Sequence, residues 1–293
     1  VTELWGLGDL ALAMPFLQTA ARHTQVTLLA KAYAAPLLKR FAPEVELIEF
    51  DAPWTVFKGK YRLNRWPWQE MRQILLQLKD RRFSAAVSAR PDPREHLFLR
   101  LTRADQVIGF PRAGSGLLLS HALPPPLNLH RTAYWGKHAH RFGWEVKPLP
   151  LRPPSGRHIV IHIGAAQPTR RWPTERFATI ANQLTAAGWQ VTQIDETQGS
   201  LDALIEKLAT ADHFIGNDSG PGHIAALLGV PTFTIGPQLP EVFATQHPKG
   251  TWINGAPCKY KPCRDYCRYS TPHCLMEINT DAVWKRLTTW LDN

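Results

Sequence analysis

The stretch FIGNDSGPGHIAALLGVPTFTIGP, residues 214–237, restricts the fold of this chain more than any other. Phe214 and Ile215 end a short apolar strand, and residues 217–223 form a tight, polar, glycine-rich turn. Ile224 to Leu228 is a helix of small apolar residues stopped at Gly229, and Pro231 opens the next strand over 232–235. A strand, a turn, a helix and a strand in so few residues belong to a sheet covered by helices. The turn sets the N–H groups and the positive dipole end of a helix beside Asp218, Ser219, Gly220, Gly222 and His223. Such a turn is an anion site, or it is an ordinary strand-to-helix turn in which Asp218 caps the helix.

The same alternation runs through the rest of the chain. Strands are expected over 1–5, 26–30, 45–50, 85–88 and 107–110. Helices fall between them at 10–22 (kinked at Pro15), 34–41, 68–79 and 94–101, with one more at 130–142. The helix at 68–79 carries Met71, Ile74, Leu75 and Leu78 on one face. Residues 51–67 and 111–128 read as loops. Four prolines within 148–156 break the pattern and mark a linker. Strands at 159–163 and 191–194 and helices at 174–187 and 200–209 then restart it. The expected class is α/β, with two Rossmann-like domains facing each other across a cleft and ligands at the carboxyl ends of the strands. The domains are a Rossmann-like one over 1–150 and a second over 151–279 that contains the late Cys segment. A C-terminal helix over 280–293 is available to pack back on the first.

Composition narrows the partners. The apolar fraction of 44% supplies two cores, and no apolar run of membrane-spanning length occurs. The first residues lack a charged segment followed by an apolar stretch and a cleavage site, so a cytoplasmic protein is expected. A net charge of +10 favours an anionic partner. The basic residues are spread rather than blocked, so no nucleic acid is expected as partner.

Five polar spots lie at carboxyl ends of expected strands or beyond them. Gly6, Gly8 and Asp9 open the first helix, where Asp9 is either a general base or a helix cap. Arg170 and Arg171 follow a strand and precede Trp172-Pro173, as a fork for a diphosphate or as solvated surface charge. Asp195 and Glu196 end another strand, as acceptors for ribose hydroxyls or as a polar loop. The turn at 217–223 is the fourth. The fifth is Cys258, Cys263, Cys267 and Cys274, which form a structural zinc or iron site or remain reduced thiols. Their spacing contains no C-x2-C knuckle.

Three segments in this order, GLGDLALAMPFLQTA, RRWPTERFATIANQL and GNDSGPGHIAALLGVPTFTIGP, resemble glycosyltransferase family 9, the ADP-heptose:lipopolysaccharide heptosyltransferases. The late segment PCKYKPCRDYCRYSTPHCLMEI also looks like one found in many members. The resemblance implies a GT-B fold and a metal-independent, inverting transfer of a heptosyl or related group from an ADP-sugar to a lipopolysaccharide core sugar. It implies Asp9 as general base and Arg170 on the donor phosphate, at a position more usually lysine. Asp218, Ser219, Gly220 and His223 would meet the donor nucleotide, with Asp195 or Glu196 at the ribose. Arg62 and Arg65, with Gly8, fit an acceptor or lipid A-linked glycan at the cytoplasmic face of the inner membrane. Two readings compete: an epimerase-like enzyme of the same fold, and a non-catalytic protein that binds anionic glycan or nucleic acid.

Overall fold

The computed structural model describes residues 1–293 apart from 57–58, 128, 196, 198, 237–239, 262–265 and 293. The chain divides into two compact units, Val1–Lys147 and Pro148–Asn293.

In the first unit β1 (Thr2–Glu3), α1 (Leu7–Ala21), β2 (Thr27–Ala30), α2 (Ala34–Phe41) and β3 (Glu46–Glu49) are followed by α3 (Trp68–Asp80) and β4 (Ala85–Val87). Then come α4 (Pro93–Leu101), β5 (Gln106–Gly109), β6 (His121–Ala122) and α5 (Thr132–Arg141). All the strand pairs are parallel, in the orders β1-β2-β3 and β4-β5-β6. A parallel bridge between Thr2 and Ser88 joins β1 to β4. The order across the unit is therefore β3-β2-β1-β4-β5-β6, and it reverses between β1 and β4. Open α/β sheets bind ligands at such a reversal.

Helix α1 is apolar nearly all round, and Leu10, Ala11, Leu12, Ala13, Met14, Phe16 and Leu17 are all buried. It is a single helix through Pro15, and the Thr19 hydroxyl donates to the Pro15 carbonyl at 2.8 Å. The expected Met71, Ile74 and Leu78 face of α3 packs with Leu4, Ile48, Phe50 and Trp54 in the core.

The second unit contains β7 (His158–His162), α6 (Thr174–Ala186), β8 (Gln190–Ile194), α7 (Leu201–Ala209), β9 (His213–Asn217) and α8 (Gly220–Leu227). They are followed by β10 (Thr232–Ile235), α9 (Pro240–Phe243), β11 (Thr251–Ile253), α10 (His273–Met276) and α11 (Thr280–Leu291). The parallel order is β8-β7-β9-β10-β11, which reverses between β7 and β9. Strands β9 and β10 are buried along their whole length, as expected of central parallel strands.

Helix α11 is part of this second unit. The Asn279 side chain caps it by accepting from Ala282 N–H at 2.8 Å, and Val283 and Leu287 enter the core beside Ile180 and Leu184. Trp290 donates to the Lys249 carbonyl at 2.7 Å. Its apolar face packs on α6 and β11 of its own unit.

The proline-rich linker is anchored by one carboxylate. Asp212, just before β9, accepts from the N–H groups of Ser155 (2.7 Å), Gly156 (3.0 Å) and His158 (2.9 Å). A Cβ at Gly156 would stand 3.0 Å from the carboxylate. Burial acts to raise the Asp212 pKa, but these donors hold it below the usual value. Asp212→Ala is expected to cost about 1.5–3 kcal/mol at neutral pH, measured by urea unfolding. A depressed folded pKa contributes stability above the unfolded value, so the cost should fade as pH drops below about 4.

Candidate functional site

Polar side chains collect at the strand reversal of each unit. In the second unit, β7 leads through 163–167 to a turn at Pro168–Arg170 and on to α6. Arg170 reaches the neighbouring strand end, with Nη1 3.4 Å from Oδ2 of Asp218. Asp218 is 3% exposed, so its charge is matched by a guanidinium rather than by water. Asp218 is not the helix cap. Ser219 occupies that position, and its hydroxyl donates to the Asn217 carbonyl at 3.2 Å. Gly222 N–H donates to the Ser219 carbonyl at 3.2 Å and Pro221 has no N–H, so the first turn of α8 offers fewer donors than its length suggests. His223 is buried in that first turn.

Asn217, which sequence reasoning passed over, holds the two strand ends together. Its side-chain oxygen accepts from Trp172 N–H at 2.9 Å, and its amide donates to the carbonyls of Ile163 (2.8 Å) and Gly164 (3.3 Å). Its place at the carboxyl end of a fully buried strand was the available signal. Gly236 is required by packing: a Cβ there would stand 2.6 Å from Trp252 and 2.9 Å from Asp218 Cβ. Arg171 follows Arg170 at the end of the turn at Pro168–Arg170. Its Nε donates to the Ala165 carbonyl at 2.6 Å, bracing the loop after β7. Asp195 accepts from the N–H (2.8 Å) and hydroxyl (2.6 Å) of Thr197, which hold its pKa low. Glu196 lies outside the described residues.

In the first unit, Gly6 occupies the N-cap position of α1 and has no side chain to cap it. Asp9 lies in the first turn, where a carboxylate suits the helix dipole. Its Oδ1 pairs with Arg90 Nη2 and lies 3.9 Å from Arg131 Nε. Gly8 is half-buried in the same turn. Arg90 follows β4, across the sheet reversal from β1, and Arg131 directly precedes α5. The Arg90 guanidinium lies 5.1 Å from the centroid of the Trp5 ring, and that of Arg131 4.5 Å from Tyr134.

Two further acids complete the cluster. Glu95 is buried and accepts from the hydroxyls of Thr2 (2.5 Å) and Ser88 (2.6 Å). Glu3 is 1% exposed and accepts from Trp5 N–H at 3.3 Å. Burial pushes the Glu3 pKa up to about 8; Arg90 and Arg131 pull it down, while Asp9 and Glu95 push it further up. Burial therefore favours the protonated form of Glu3. Glu3, Arg90 and Arg131 were not singled out from the sequence. Arg90 could have been found as the first charge after a strand end, and Glu3 as an acid inside an apolar strand.

Arg62 and Arg65 are exposed around a short turn at Leu63–Arg65, ahead of α3. Cys258 and Cys267 are half-buried free thiols, Cys274 is buried, and Cys263 lies outside the described residues. Among the described residues no three His, Cys, Asp or Glu side chains are placed to hold a metal ion. Among the described residues no helix is long and apolar enough to cross a membrane.

Residues 197–269 match the family model for glycosyltransferase family 9 (heptosyltransferase). That segment contains the turn at 217–223, and the match bears out the resemblance drawn from the motifs and the expected enzyme class. No curated protein matches the chain significantly in sequence. Among solved structures, the chain is similar to the family 9 glycosyl transferase of Veillonella parvula DSM 2008, with TM-score 0.79 and 17% identity over 100% of this chain and 96% of that one. It is similar to E. coli heptosyltransferase WaaC with ADP, with TM-score 0.75 and 14% identity over 99% and 98%. It is also similar to the iron-containing dodecameric glycosyltransferase TibC of enterotoxigenic E. coli H10407, with TM-score 0.57 and 14% identity over 99% and 75%. The fold is that of the GT-B glycosyltransferases, as expected.

Proposed function

From the family 9 relationship and the GT-B fold, we propose that this glycosyltransferase moves a heptosyl or related group from an ADP-sugar to a lipopolysaccharide core or similar glycan. The observation that carries the reading is the Arg170–Asp218 pair at the mouth of α8. A diphosphate needs a positive group and N–H donors, and this strand end supplies both. Asp218 is the positioning group: its buried carboxylate orients Arg170, while Ser219, Gly220, Gly222 and His223 line the nucleotide. Asp9 takes the proton of an acceptor hydroxyl. The oxygen then bonds to the anomeric carbon, and the bond to the diphosphate breaks, leaving its electron pair on ADP. Arg170 stabilises that developing charge.

Iron-containing TibC is one of the similar structures. In this chain the proposed reaction uses Asp9, Arg170 and the α8 turn and needs no metal. Arg62 and Arg65 meet an anionic acceptor or the anionic surface of the inner membrane, at its cytoplasmic face.

Thermal denaturation with ADP, UDP, GDP and CMP at equal concentration tests the donor assignment. ADP at about 100 times its Kd should stabilise the protein by roughly 2.7 kcal/mol, and the other nucleotides by less. A larger shift with UDP or GDP sinks the ADP-sugar reading.

A further inference from the structure

We infer, building on the reading in which Arg62 and Arg65 meet an anionic partner, that the turn over 59–68 is a docking surface for an anionic lipid bilayer. Tyr61, Leu63 and Trp68 enter the headgroup layer, and Lys60, Arg62 and Arg65 pair with lipid phosphates. Tyr61, Leu63 and Trp68 are 77%, 56% and 53% exposed, although all are large and apolar. Exposed apolar groups gathered in one place and rimmed by polar ones mark a surface that something covers. From Gly59 to Gln69 the sequence holds three basic residues, Lys60, Arg62 and Arg65, and no acid; the nearest acids along the chain are Asp51 and Glu70. The Lys60 ammonium and the Arg94 guanidinium lie 5.6 and 5.9 Å from the centroid of the Tyr61 ring, so cations flank that ring. Aromatic rings at headgroup level, with lysine and arginine on the phosphates, suit a bilayer interface. A specific protein partner needs about 20–30 residues on each side, more than this turn offers.

The turn is built to leave water. Arg62 N–H donates to the Gly59 carbonyl (2.9 Å), Leu63 to Tyr61 (3.1 Å), Arg65 to Arg62 (2.9 Å), Trp66 to Leu63 (3.3 Å) and Trp68 to Trp66 (2.9 Å). Pro67 has no N–H, and the Trp68 indole N–H donates to the Leu63 carbonyl at 2.8 Å. Backbone groups paired inside the turn need no water when they enter an apolar layer, where an unpaired one is costly. The turn is also fixed before it binds. The Trp68 ring lies 5.3 Å from that of Trp66, and Trp66 lies 5.7 Å from Trp54. Trp54 is 1% exposed and packs against Phe50 and Phe98 in the core. A ladder of three tryptophans thus ties the exposed turn to the core, so docking has few side chains left to order.

The test is sedimentation of the full chain with phosphatidylcholine vesicles carrying about 30 mol% phosphatidylglycerol, against vesicles of phosphatidylcholine alone. The protein should bind the anionic vesicles. At low salt the double variant Arg62→Gln, Arg65→Gln should bind about 10- to 30-fold more weakly, the effect of two basic residues near a charged surface. The double variant Tyr61→Ser, Leu63→Ser should bind about 5- to 20-fold more weakly, and that loss should persist in salt because it comes from apolar area. Vesicles brominated in the acyl chains should quench the tryptophan fluorescence of bound wild type, and Trp68→Phe should remove most of the quenching. The substituted side chains are all exposed, so each variant should unfold at the temperature of wild type. Equal binding to the two kinds of vesicle, or apolar variants that bind as wild type does, overturns the docking assignment. So does release by glycerol phosphate beyond that caused by sodium chloride of equal ionic strength, which would mean a site for a free phosphate. A protein that ADP stabilises but that binds no vesicle loses the docking surface and keeps the glycosyltransferase reading; vesicle binding without ADP binding does the reverse.

Discussion

Replacing Asp9 by Asn is expected to lower turnover by about 100- to 10,000-fold, the range that a positioned general base contributes. Asparagine keeps the size and the hydrogen-bonding oxygen of the side chain but cannot accept a proton. The first turn of α1 should survive the change, because asparagine keeps an oxygen that can accept from its N–H groups. ADP binding should stay within about twofold of wild type, since Arg170 and the α8 turn belong to the second unit. The decisive pair of measurements is single-turnover transfer to a core acceptor and calorimetric ADP titration. An Asp9→Asn protein that turns over normally rules out the base. One that loses ADP affinity places Asp9 on the donor instead.

The second large effect is on stability and needs no substrate. Glu3 has a pKa of about 8 in the folded protein, raised first by burial, and an ordinary value near 4.5 when unfolded. The folded state therefore binds the extra proton between those pH values. A raised folded pKa contributes stability below the unfolded value, and that contribution is lost as pH rises through the folded one. Each unit is about 1.4 kcal/mol, so wild type should lose several kcal/mol from this group between about pH 4.5 and 8. Glu3→Gln cannot lose it. The variant should match wild type near pH 4.5, gain on it steadily, and level off above about pH 8. Urea unfolding of both proteins at pH 5, 6.5, 8 and 9 measures the difference. A difference that stays flat across the series shows that Glu3 is ionised throughout. The gain at neutral pH would also explain what the acid costs the fold, and why a functional reason for its presence is worth seeking.

Much of this architecture was legible along the chain. The apolar runs, their glycine stops and the proline-rich break at 148–156 indicated two successive parallel α/β units. The two units of the structure divide at Lys147 and Pro148. β6 and β11 were not legible, because strands of two and three residues carry no periodicity. Asp218 as a cap was a reasonable local reading, since aspartate before a glycine-rich helix start commonly serves that way. It was displaced by Ser219 one position later, and only the position of Arg170 explains what a buried carboxylate does there.

The turn at 217–223, the glycines before Asp9 and the paired arginines before Trp172 are local features, and the sequence by itself determined them. Local backbone preferences and apolar spacing act over a few residues, and they suffice to place a polar group at the end of a strand. Which strand ends become neighbours is set by strand order, and strand order is a property of the packed sheet. The reversal between β7 and β9 sets Arg170 beside Asp218. The Thr2–Ser88 bridge sets β1 against β4 and so brings Arg90 to Asp9, 81 positions earlier in the chain. Burial then decided the charge states, since the acid of Glu3 is ordinary in the sequence and unusual only where β1 is enclosed.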